Sequence, residues 1–142
     1  EWTRRFGETD YFFDAGPARF VILNSAIARL TDSQLDFLED SLDTPLEKFV
    51  ALHRPPDYLN PLYDTPFKQG SRRFREIVEK AGVMAVMTGH EHHFAHYDIG
   101  GVQYLISGGA GGALNTNTEN NFHHFLFFRL RDGELDFKIV KL

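Results

Sequence analysis

Two hydrophobic periods alternate along this chain. Short apolar runs recur at Ala18 to Asn24, Lys48 to Leu52 and Val83 to Met87. Each is too short for a helix and reads as a buried strand. Between them the period lengthens. Leu35, Leu38 and Leu42 follow Thr31-Asp32-Ser33-Gln34. That quartet is a capping box, in which Thr31 accepts from the Gln34 N–H and the Gln34 side chain reaches back. Pro45 ends this helix, because it disfavours a helical residue before it. Phe74, Ile77, Val78 and Ala81 form a second helical stripe within 71–81, and Gly82 fits its C-terminal stop. Ala15-Gly16-Pro17 turns Tyr11-Phe12-Phe13-Asp14 back onto the first run as a hairpin. Gly100-Gly101 and Asp132-Gly133 signal two more hairpins, 95–99 with 102–107 and 122–131 with 134–140. The order is hairpin, helix, strand, helix, strand, then two hairpins, which predicts an α/β mixed sheet with some parallel pairing. Residues 53–70, with Pro55, Pro56, Pro61 and Pro66, read as a surface loop of a length that is uncommon without a function.

Composition narrows the chemistry. The chain has 142 residues, 42% hydrophobic and 25% charged, as expected of a globular domain. Its net charge of −5 gives no basic footprint for nucleic acid. No apolar run of about 18 residues is present, so no helix is expected to span a membrane. Cysteine is absent, which excludes disulfides, thiol catalysis and Cys-ligated zinc. A metal here would be held by His and oxygen ligands. The chain opens Glu1-Trp2-Thr3-Arg4, without Met or a signal-peptide pattern, so its natural N-terminus is expected upstream. No compartment is read from it.

Three features stand where open α/β sheets place ligands, after the carboxyl ends of strands. His53 ends one predicted strand. His90 and His92 follow another in Gly89-His90-Glu91-His92, where Gly89 permits a tight turn. Gly108-Gly109-Ala110-Gly111-Gly112 follows a third. If the first two strands are neighbours, three imidazoles converge, with His90 and His92 serving one ion each of a metal pair. The glycine run either lets backbone approach a ligand or is a mobile connection. No Gly-Lys-Ser/Thr follows it, so it is not a Walker loop. His93, His96, His123 and His124 read as surface or edge residues. A cupin-type single-metal site fits poorly, because His96 and Tyr97 stand where a Glu is wanted.

These residues resemble the C-terminal part of calcineurin-like metallophosphoesterases. The resemblance rests on Val50-Ala51-Leu52-His53-Arg54-Pro55, on Gly89-His90-Glu91-His92-His93 as a GHxH motif, and on Tyr104 to Gly112 as the strand and glycine loop after it. The hairpin at 11–25 and the helix from Thr31 also match. The resemblance implies the C-terminal half of a four-layer α/β/β/α sandwich, with 1–142 as one part of a catalytic domain. It further implies hydrolysis of phosphate mono- or diesters at two divalent ions (Mn, Fe or Zn), with His53 and His90 on one metal and His92 on the other. The family's D-x-H, G-D-x-x-D and G-N-H motifs, which supply the carboxylates, Asn and remaining His, do not occur here. The chain alone is therefore expected to bind metal weakly and turn over little or no substrate. Strand edges and apolar surface that the first half would cover are expected to drive self-association. The competing reading is a non-catalytic α/β binding module with incidental histidines.

Overall fold

The computed structural model describes residues 2–60, 62–115 and 120–142. Glu1 and Pro61 lie outside the described residues. A short helix α1 (Trp2–Phe6), which the sequence pattern does not announce, precedes the hairpin β1 (Tyr11–Ala15) and β2 (Ala18–Leu23). Then come α2 (Asp32–Ser41), β3 (Glu47–Leu52), α3 (Ser71–Ala81) and β4 (Ala85–Thr88). The hairpins β5 (Phe94–Ile99) with β6 (Val102–Ser107) and β7 (His124–Arg131) with β8 (Glu134–Lys141) complete the chain. The expected mixed α/β class is what the structure has.

Six strands form one sheet in the order β1-β2-β3-β4-β6-β5. β2, β3, β4 and β6 run parallel, while β1 and β5 pair antiparallel at the two edges. The carboxyl ends of the four central strands therefore share one edge of the sheet.

Period-two alternation sends side chains to two cores. Val21, Val50, Val86 and Tyr104 pack with Leu35, Leu38, Phe74 and Val78, which places both helices on one face. Phe49, Ala85 and Leu105 pack on the other face with Leu126, Phe128, Leu135 and Phe137 of the two-stranded β7–β8 sheet. Helices, six-stranded sheet and hairpin thus make three layers, and burial on both faces explains why the central strands read as continuous apolar runs.

Local chemistry fixes the helix ends. Thr31 caps α2 through the complete capping box. α3 ends at Gly82, whose φ of +67° needs a residue without a Cβ penalty. The 53–70 segment is less superficial than its prolines suggest. Pro55, Pro56, Leu59, Pro66 and Phe67 are buried, and Phe67 packs edge-on against Phe74 at 5.5 Å. The loop is bound down because its apolar residues fill the space between α3 and the strand ends.

Candidate metal centre

The parallel pairing of β3 and β4 brings the two His-bearing loops side by side. The Gly89 N–H donates to the His53 carbonyl at 3.0 Å, which continues the pairing one step past the strands. From there the chain makes two consecutive three-residue turns. The Glu91 N–H donates to Gly89 O and the His93 N–H to Glu91 O, both at 2.7 Å. His90 sits at the first turn with φ +66°, which is strained for a residue with a Cβ. This sharp entry aims the His90 ring back at β3. His53 Nε2 and His90 Nδ1 lie 3.1 Å apart, with the rings edge-on at 75°.

The remote ring nitrogen of His90 also has a partner. His90 Nε2 lies 2.8 Å from the carbonyl oxygen of Asp64. The His92 ring is held in the same manner, with Nδ1 2.6 Å from the Ala113 carbonyl. Metal-binding imidazoles ordinarily have such an acceptor on their far nitrogen. His92 turns toward the glycine loop, yet it stands near enough to His53 for the two rings to couple electrostatically. Burial holds His53 below the usual imidazole range, and Coulombic coupling to His90, Arg54 and His92 pushes the same way. Both effects favour the neutral ring, the state that can donate a lone pair.

The glycine loop makes close approaches, but to protein. A Cβ on Gly108 would stand 2.0 Å from Glu91 O, one on Gly109 2.3 Å from His124 Nδ1, and one on Gly112 2.7 Å from His92 Cε1. The loop can therefore pass tightly behind the two histidine turns.

Glu91, between the two site histidines, is buried. Its carboxylate accepts from the Asp64 N–H at 2.7 Å and from Asn115 Nδ2 at 3.3 Å. It braces the site without facing it. His93 and His124 are buried as well, contrary to the surface reading of the sequence. His124 is satisfied internally, with Nδ1 2.8 Å from Phe122 O and Nε2 3.1 Å from Ser107 Oγ. Burial lowers the His93 pKa, partly offset by Glu91. A cleft of about 650 Å³ opens beside His53, bordered by Glu8, Tyr11, Asn24 and Ser25.

The donor set can be tested against a metal. Two nitrogens bound to one ion at about 2.1 Å, with an angle between a right angle and the tetrahedral one, stand about 3.0–3.4 Å apart. The His53–His90 separation fits a pair of ligands on one ion. Among the described residues, however, no group of three or more His, Asp or Glu side chains is placed to hold a metal. The residues present fit half of a coordination shell, and a dinuclear centre is not complete within them.

No family model matches this sequence, and comparison with curated proteins found no match. Solved structures do resemble it. A purple acid phosphatase from yellow lupin (Lupinus luteus) seeds superposes with a TM-score of 0.65 at 20% identity, over 94% of this chain and 30% of its own. A dimetal phosphatase from Danio rerio gives 0.65 at 16% identity, over 92% and 57%. GAP50, the anchor in the inner membrane complex of Plasmodium, gives 0.63 at 13% identity, over 93% and 49%. At these identities the likeness establishes the fold. The chain spans less than two thirds of the length of each of these proteins.

Proposed function

We propose that this chain is the histidine-bearing part of a metal-dependent phosphoesterase whose parent protein hydrolyses phosphate mono- or diesters. The observation that carries this reading is the facing pair His53 Nε2 and His90 Nδ1, 3.1 Å apart where two parallel strands end. The carbonyls behind His90 and His92 support it, and so does a fold shared with two phosphatases. In the proposed site His53 and His90 hold one divalent ion and His92 a second. Such ions supply charge for the phosphoryl oxygens and an activated water. The reaction adds water across a P–O bond: water oxygen joins phosphorus, and the departing alcohol takes a proton.

Three neutral imidazoles do not offset two divalent charges, and hard ions want carboxylate oxygens. The isolated chain should therefore bind metal weakly and turn over little. Calorimetric titration with zinc or manganese, on the wild type and on His90→Ala, tests the metal reading. Heat from the wild type that is lost in the variant supports it. Identical traces would return the chain to the second reading, a non-catalytic module, which the incomplete ligand shell favours. Robust hydrolysis of a chromogenic phosphodiester by these 142 residues with added manganese would overturn the expectation of inactivity.

A further inference from the structure

The guanidinium of Arg54 stands against the same His90 nitrogen that faces the Asp64 carbonyl. Arg54 Nη1 has two protons: one points between the Thr65 carbonyl, at 2.9 Å, and Thr65 Oγ1, which share it, and the other is left for His90 Nε2 at 2.7 Å. Arg54 Nε donates to Ala26 O at 3.2 Å, and the Arg54 backbone N–H to Ser25 Oγ at 2.7 Å. The side chain is thus fixed at both ends. The residues flanking it are strained, with Thr65 at φ +44° and His90 at φ +66°. Two left-handed non-glycine residues beside one arginine mark a place where the surroundings over-determine the backbone.

A neutral imidazole carries one ring proton, and the two close contacts at Nε2 make opposite demands on it, while the Thr65 hydroxyl, 3.5 Å away, can donate or accept and decides nothing. The Asp64 carbonyl is an acceptor and requires Nε2–H. Arginine has no acceptor, so Arg54 requires a lone pair on Nε2. One ring satisfies one of them. The choice sets the other nitrogen, because Nδ1 then either carries the proton toward His53 or presents a lone pair to it. The charged donor at 2.7 Å outweighs a neutral carbonyl at 2.8 Å, since charge-assisted hydrogen bonds are roughly twice as strong.

We propose that Arg54 is a positioning residue that selects the Nδ1–H tautomer of metal-free His90, latching its ring to His53 through an Nδ1–H···Nε2 bond. In the latched state the lone pairs of both rings are engaged, His53 Nε2 by the His90 proton and His90 Nε2 by Arg54. For both facing nitrogens to offer lone pairs to a cation, the His90 proton would have to sit on Nε2, where Asp64 O accepts it and Arg54 gives way. Arg54 thus opposes loading and Asp64 O favours it. This consequence rests on the metal reading above, whereas the tautomer assignment does not.

Long-range proton–nitrogen correlation spectra of the uniformly nitrogen-15-labelled, metal-free chain read the tautomer directly, with His90→Gln identifying the His90 signals. The wild type should show a pyrrole-type Nδ1 and a pyridine-type Nε2. The opposite pattern overturns the proposal without any variant having to fold. Arg54→Met should invert the pattern before metal is added, and an unchanged pattern there also overturns it. Zinc binding by Arg54→Met should tighten on the order of tenfold, the loss of one hydrogen bond to a charged group. Zinc that binds neither protein would refute the metal reading, while the spectra still decide the tautomer.

Discussion

Gly108 and Gly112 stand in the same loop and press on the same pair of turns, yet substitution should affect them differently. A Cβ at position 108 meets Glu91 backbone, with O at 2.0 Å and C at 2.7 Å. That backbone is held by the His93 N–H and cannot retreat without breaking the turn. A Cβ at position 112 meets the His92 ring, with Cε1 at 2.7 Å and Nδ1 at 3.0 Å. A half-buried ring can rotate away, at the expense of its bond to Ala113 O. Gly108→Ala should therefore cost about 3 kcal/mol, the upper end for an overpacked site. Gly112→Ala should cost under about 1 kcal/mol in denaturant unfolding while shifting the His92 ring resonances. Equal losses from the two substitutions would show that the loop yields at both points.

Hydroxyl pairs fasten the 53–70 loop to the sheet. Tyr58 donates to Tyr104 at 3.0 Å, and Tyr63 and Tyr97 hydroxyls meet at 2.6 Å. Burial raises Tyr58, Tyr63 and Tyr104 above the ordinary phenol pKa of 10.0. Above pH 10 the unfolded chain loses these protons while the folded chain keeps them. Stability therefore falls as pH rises past 10, because the folded state then binds more protons. Tyr58→Phe removes one of these groups. It should lower stability near pH 7 by about 1 kcal/mol, the worth of one hydrogen bond, and flatten the loss of stability above pH 10. Measuring unfolding free energy against pH would decide this, and an unchanged alkaline slope would exclude Tyr58 as a contributor. Elements of this kind were unevenly legible in the sequence. The capping box of α2, the glycine stop of α3 and the hairpin turns are local, so neighbouring residues announce them. The burial of Pro55, Pro56, Leu59 and Phe67 is not local. A proline-rich segment reads as exposed until α3 and the strand ends are seen to close over it. His93 and His124 looked superficial for the same reason, since their partners Asn115 and Ser107 are supplied by the fold. The carbonyls of Asp64 and Ala113 leave no trace in sequence, because every residue type has one. The parallel pairing that brings His53 to His90 could be stated only as a condition.

Among the described residues the six-stranded sheet ends in β1 and β5, and β1, exposed at every position whereas β5 is partly buried, is the more open edge. Tyr11, Phe12 and Phe13 on β1 are 47%, 45% and 45% exposed, although β1 is paired along one side. Tyr11, Phe13, Phe20 and Phe49 form a run of neighbouring rings, at centroid separations of 6.5, 5.2 and 4.9 Å, that leads from this edge toward the β7–β8 layer. The hairpin covers the inner end of the run, at Phe49, and leaves Tyr11 and Phe13 outside. Natural edge strands are usually blunted by lysine, proline or a bulge. β1 has no lysine or proline, and its one charge, Asp14, is engaged by Arg19 at 2.8 Å. The net charge of −5 opposes association, but it is spread over the molecule and salt screens it. Apolar contact and edge pairing are screened little. We therefore expect the isolated chain to associate with itself through β1, more strongly as salt is raised. Light scattering over a concentration series should give a mass above the monomer, and Phe13→Lys should restore the monomer by placing a charge in the aromatic run. A clean monomer at high concentration and high salt would show that this edge, though open, is not sticky enough to pair.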